Sequence, residues 1–166
     1  MVRRYRRSAP RDKYSVENTC CITPPISDWS RIEGDESTQA SNQFKTVIVA
    51  SNGIEGMRKV KHLTLSFSLP SDNKLFFALV YVPSGYEANT LNIPTLGSAV
   101  SLYDPNQYVM ASGVLDFSGG PCRIRTPLSR NLNSGDSIQL VVASPVLETP
   151  NDNTLSINCQ YAITLQ

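Results

Sequence analysis

The densest chemistry in the chain is cationic and lies at its start, MVRRYRRSAPRDK. Arg3, Arg4, Arg6, Arg7, Arg11 and Lys13 face a single acid, Asp12, so residues 1–13 carry a local charge of +5. The remaining residues hold nine basic side chains against thirteen acids, and the formal total of +1 hides a basic arm on a mildly acidic body. Arginines this close repel one another and have almost nothing apolar to bury. The arm alone is therefore expected to be disordered. Its chemistry is polyanion binding, guanidinium and ammonium groups answering a phosphate backbone. Tyr5, between two arginine pairs, adds a ring able to stack on a base. A solubility tail and a nuclear-import address are the other uses of such a stretch. A mitochondrial presequence is disfavoured, because the arm is short, lacks an apolar face and contains Pro10 and Asp12.

A second group of cations is scattered through the body. Arg58, Lys59 and Lys61 open an alternating run, which puts Lys59 and Lys61 on one face and Arg58 on the other. Arg123 and Arg125 share a face of a short strand, and Arg130 follows in a loop. These are either solvated rims and intersubunit ion pairs, or a continuation of the arm's phosphate-binding surface. In the second case Lys59, Lys61, Arg123 and Arg125 are the contacts, and binding needs no base-edge code.

Catalytic chemistry finds little support. His62 is the only histidine and has no marked nucleophile or carboxylate partner, so no triad can be assembled. One histidine cannot supply the several ligands of a cupin-type metal site. No phosphate-cradling glycine motif occurs, and Asp35 and Glu36 sit in a polar loop. No catalytic residue, metal or cofactor is expected. The four cysteines, Cys20, Cys21, Cys122 and Cys159, form no C-x-x-C pair and are expected to be reduced thiols. Cys20 and Cys21 should point to opposite faces of an extended strand. No apolar run approaches membrane-spanning length and no secretory leader is recognisable, so neither insertion nor secretion is expected.

The elements that must carry these side chains are strands. Apolar or alternating runs cover 14–23, 44–51, 58–69, 75–82, 107–117, 122–126, 136–143 and 155–165. Pro24-Pro25 should end the first, and Gly113 marks a bulge or close approach in the fifth. The run LFFALVYV is apolar on both faces, as a central, doubly covered strand should be. Residues 24–43, 83–106 and 145–153 read as loops, with one helical turn near Trp29, itself a packing anchor, and a further extended piece at 98–103. Eight strands, no long helix and connections of unequal length predict an all-β chain. The expected fold is a single eight-stranded antiparallel jelly roll over 14–166, a β-sandwich behind the basic arm.

The blocks GMRKVKHLTLSFSL, SLYDPNQYVMASGVLDF and PLSRNLNSGDSIQLVV, between an arginine-rich arm and a terminal strand ending YAITLQ, resemble the small capsid proteins of circular, Rep-encoding single-stranded DNA viruses, the circovirus-like and nanovirus-like group. The resemblance covers nearly the whole chain. It implies self-assembly of about sixty copies into an icosahedral virion shell. Arms would lie inside on the single-stranded DNA genome, loops outside toward a host receptor. By that resemblance Arg3, Arg4, Arg6, Arg7, Arg11 and Lys13 would bind genome and the nuclear-import machinery. This arm is shorter than many in the group, which gives Lys59, Lys61, Arg123 and Arg125 more to do. Two other readings stay open on the residues alone. One is the coat protein of a small RNA virus or RNA satellite, the other a non-viral nucleic-acid-binding module with a basic tail.

Overall fold

A computed structural model describes residues 14–53, 56–106, 108–147 and 149–165, the side chain of residue 165 excepted. The described residues form ten strands: β1 (Ser15–Pro25), β2 (Ser30–Ile32), β3 (Ser41–Val49), β4 (Arg58–Ser68), β5 (Lys74–Val82), β6 (Val109–Asp116), β7 (Cys122–Arg125), β8 (Arg130–Leu132), β9 (Ser137–Pro145) and β10 (Thr154–Leu165). All eight predicted strands are present. The two additions, β2 and β8, fall inside segments read as loops and are three residues long. A 3-10 turn at Ile26–Asp28 takes the place of the helical turn expected near Trp29. Among the described residues no helix is long and apolar enough to cross a membrane.

The strands form two antiparallel five-stranded sheets. One runs β1-β10-β4-β7, with β8 also pairing β4, and the other runs β2-β3-β9-β5-β6. Leaving aside the short β2 and β8, nearly every connection crosses from one sheet to the other. Only β5 and β6 are chain neighbours within one sheet. Those crossings make interleaved Greek keys, the jelly-roll order. The protein is thus an all-β sandwich.

Alternation explains the packing. Leu63, Leu65 and Phe67 of β4, with Leu155, Ile157 and Cys159 of β10, turn inward against Leu75, Phe77 and Leu79 of β5 and Ile138, Leu140 and Val142 of β9. Trp29 is buried, its Nε1 donating to the Pro24 carbonyl at 3.0 Å and its ring 5.8 Å from that of Phe44. β5 is apolar on both faces for the predicted reason. Ala78, Val80 and Val82 pack outward against Ala88, Leu91, Ile93 and Tyr103, so residues 83–106 roof the second sheet. Buried Gln43 pins that roof. Its Nε2 donates to the Leu91 carbonyl at 2.7 Å, and Leu91 N–H donates back to Oε1 at 2.8 Å. The 98–103 piece contributes only an isolated bridge, Leu91 to Tyr103.

Two local expectations shift. Pairing of β1 does not stop before the prolines. It continues past an irregularity after Ile22 to Pro25 opposite Thr154, which an edge strand tolerates. Gly113 pairs regularly with Phe77, and the β5–β6 bulge falls earlier, at Met110 between Val109 and Ala111.

The cysteines are free thiols, with Cys20 exposed and Cys21 turned toward the core. Cys159 is fully buried, and burial pushes its thiol up to about 12. Iodoacetamide at neutral pH should therefore label Cys20 in the native protein and reach Cys159 only after unfolding. Peptide mass spectrometry reads this directly, and native labelling of Cys159 would contradict the packing.

Candidate nucleic-acid interface

The sheet β1-β10-β4-β7 has one face on the core and one open to solvent. β4 sets what the open face presents. Arg58 and Val60 are buried, as are Leu63, Leu65 and Phe67, so the inward phase slips by one residue between them. A bulge absorbs the slip: Lys61 pairs Ala162 and Thr64 pairs Gln160, leaving His62 and Leu63 opposite Tyr161. His62 takes the left-handed backbone, φ 58°, and is exposed there. Lys59 and Lys61 thus stay on the open face with Thr64 and Ser66.

Register then assembles the cations. Arg125 lies opposite Thr64 and Arg123 opposite Ser66, both exposed on β7. Lys59 is flanked by Asn131 of β8 and Thr164 of β10. Across β10, Asn158 and Gln160 extend the same rows to Cys20 and Asn18 of β1. From Lys59 to Arg123 the face spans roughly 20 Å along the strands. The sole acid in the five strands of this sheet is Glu17, which alternates to the other side with Tyr161. The two ion pairs among the described residues, Arg31–Glu33 and Lys74–Asp116, involve none of these cations. The face is therefore positive and without an internal counter-charge, polar along β4, β7 and the first part of β10 and edged by the exposed apolar side chains of Val16 and Ile22 on β1. Such a surface can hold a polyanion through its phosphates, with side-chain amides and hydroxyls as added donors.

The six predicted arm contacts, Arg3, Arg4, Arg6, Arg7, Arg11 and Lys13, lie outside the described residues. Their point of attachment does not. Tyr14 sits beneath Lys61, whose Nζ is 3.5 Å from the ring centroid, so the arm joins the body at the cationic face. Lys59, Lys61, Arg123 and Arg125, predicted as one set, are brought together there.

The other two body arginines differ. Arg58 is buried and structural, donating from Nη1 to the Ala50 carbonyl at 3.0 Å and from Nη2 to that of Asp136 at 3.3 Å. Arg130, expected in a loop, opens β8 with its guanidinium 5.9 Å from the Tyr81 ring. Tyr14 and the tyrosines near Arg130 were not singled out from the sequence. Their spacing along the chain carries no pattern, because partners come from different strands. Among the described residues no group of three His, Cys, Asp or Glu could hold a metal ion.

No protein-family model matches the chain, and no curated protein matches it. Among solved structures, a full particle of Israeli acute paralysis virus aligns at 12% identity over 93% of this chain and 74% of that one, with a TM-score of 0.38. The CBM36-1 domain of a multidomain xylanase from the hindgut metagenome of Trinervitermes trinervoides aligns at 12% identity over 88% and 96%, with a TM-score of 0.27. Infectious bursal disease virus, Gx strain, aligns at 11% identity over 90% and 41%, with a TM-score of 0.18. At such values these likenesses decide nothing about role.

Proposed function

We propose that the chain is a viral capsid protein: a non-catalytic shell subunit that packages circular single-stranded DNA. The observation that carries this reading is the junction of arm and face. Residues 1–13 attach at Tyr14, on the one sheet face that presents Lys59, Lys61, Arg123 and Arg125 with no acid among them. A shell needs one side that grips a polyanion and another free of that task. The roof of residues 83–106 covers the opposite sheet, so a subunit with its cationic face toward the lumen turns that roof outward. The resemblance of the sequence blocks to small capsid proteins of circular single-stranded DNA viruses supplies the choice of DNA and of an icosahedral arrangement. The arm's arginines double as a nuclear-import address in this reading, placing assembly in the host nucleus.

Purified full-length protein should form uniform closed particles by electron microscopy. Their extracted nucleic acid should be degraded by DNase and resist RNase. Replacing Lys59, Lys61, Arg123 and Arg125 together by alanine should spare the particles, and the single-strand salt slope should fall in magnitude by about 2.8. RNase-sensitive cargo would move the reading to an RNA coat protein. A lone subunit under all salt and pH conditions would move it to a cellular binding module.

A further inference from the structure

Lys59 belongs to two surfaces. It stands on the cationic face, and it also lines an open recess of about 390 Å³ with Arg130, Asn131, Ser129 and the rings of Tyr81 and Tyr108. The two rings meet edge to face, centroids 5.6 Å apart. Beyond them lies a second recess of about 510 Å³, also lined by Tyr81 and Tyr108, with Tyr86, Tyr103, Asn89 and Glu87. The tyrosine pair is thus a partition between a basic chamber and an aromatic one.

We propose that this partition is a nucleotide subsite for the strand held on the cationic face, an inference that rests on the nucleic-acid reading above. The phosphate sits at Lys59 and Arg130, and its base unstacks onto the Tyr108 ring. Four observations support it. Tyr108 is 45% exposed and lines the recess with two cations, Lys59 and Arg130. Its backbone is left-handed, φ 71°, and its carbonyl accepts from Tyr81 N–H at 2.9 Å, so a conformation uncommon for a bulky residue is held in place. The Tyr81 ring is fixed from behind, its hydroxyl donating to Asp136 Oδ2 at 2.7 Å. Arg130 Nε is buried and has no hydrogen-bond partner among the described residues. Polarity follows from charge. Glu87 disfavours a phosphate in the aromatic chamber. A cationic track beside an aromatic platform is what sequence-tolerant single-strand binding requires.

The test uses full-length protein and two probes of equal length, an oligothymidylate and an abasic oligomer with the same phosphates. Tyr108→Leu should weaken oligothymidylate binding roughly five- to a hundredfold and leave the abasic oligomer unchanged. Tyr108→Phe, which keeps the ring, should bind as the parent does. Lys59→Ala should weaken both probes alike. The unchanged abasic affinity doubles as the control for folding. The subsite is wrong if Tyr108→Leu binds oligothymidylate normally, or if it weakens both probes equally. Parent protein that binds neither probe would instead defeat the nucleic-acid reading itself.

Discussion

Deleting residues 1–13 should strip the protein of more than half its salt-dependent affinity for single-stranded DNA without unfolding the body. The arm's net charge is +5, and the open face of the first sheet adds Lys59, Lys61, Arg123 and Arg125. If about nine phosphates are engaged, the single-strand slope of log affinity against log salt is near −6.3 for the full chain and about −2.8 once the arm is gone. Raising salt from about 50 to about 200 mM then costs the full chain several thousandfold and the truncated chain about fiftyfold. The cut retains Tyr14, so the contact under Lys61 survives and the body's ladders are untouched. Fluorescence anisotropy across a salt series separates the contributions. An unchanged slope would remove the arm from the interface, and a slope near zero would remove the sheet face. In a shell of about sixty copies the two together supply on the order of 540 positive charges. Tethering makes such weak contacts act together, because each bound arm raises the effective concentration of its neighbours' sites.

The placement of these cations was legible to the extent that alternation was. β10 alternates from Leu155 to Tyr161, with Leu155, Ile157, Cys159 and Tyr161 buried and Ser156, Asn158 and Gln160 exposed, but toward its end Thr164 is buried and Ile163 only partly so. In β4 the buried residues change phase between Val60 and Leu63, which unbroken alternation through RKVKHLTL does not give, since it would put Lys59 and Lys61 on the inward face of Leu63 and Leu65. An extra residue had to be absorbed there, and the His62 bulge absorbs it. The separation of Lys59 and Lys61 from Arg58 followed from the same reading. β2 and β8 were not legible. Strands of three residues carry too short a pattern, and they exist because β3 and β4 offer them a ladder. The sequence marks residues 83–106 as loop with one extended piece at 98–103. Ala88, Leu91, Ile93 and Tyr103 have no strand period because they land one by one on the sheet beneath them. Their role was announced from the other side, by a β5 that is apolar on both faces. The Lys61–Tyr14 contact and the Tyr81–Tyr108–Arg130 cluster lay further out of reach. Each joins residues distant in the chain, and no local spacing encodes such a meeting.

Asp136→Ala should be the most destabilising single substitution near the proposed subsite, at roughly 3 to 5 kcal/mol. The carboxylate is buried and accepts from three donors: Tyr81 hydroxyl at 2.7 Å, Asn133 N–H at 2.8 Å and Ser84 N–H at 3.0 Å. Those donors come from β5, from the turn after β8 and from the start of the 83–106 roof. Alanine leaves all three without an acceptor, and each buried orphan costs about 1 to 3 kcal/mol, less where water can enter. The sign of the pH dependence follows from the same contacts. Burial alone would raise the Asp136 pKa, but the donors outweigh it and hold the carboxyl below its ordinary value. A group depressed in the folded state stabilises above its unfolded pKa of about 3.9 and loses that contribution as pH falls through the folded value. Tyr81 behaves oppositely. Burial, then the hydrogen bond and charge of Asp136, push its phenol up to about 12. Its contribution is complete below the unfolded value of about 10 and fades as pH rises toward the folded one. Asp35 and Asp116, whose carboxyls are also held low by neighbouring serine and threonine donors, shape the acid limb equally in every variant. Asp136→Asn isolates the charge: it keeps one acceptor oxygen, should cost less than alanine, and should flatten the decline below about pH 4 relative to the parent. Urea unfolding of the three proteins at neutral and acid pH measures all of this. Equal stability of the parent and Asp136→Ala at neutral pH would mean that this carboxylate does not tie the roof, the β8 turn and the Tyr81 ring into one unit. In that event Tyr108 would lose the fixed partner against which its own ring is set.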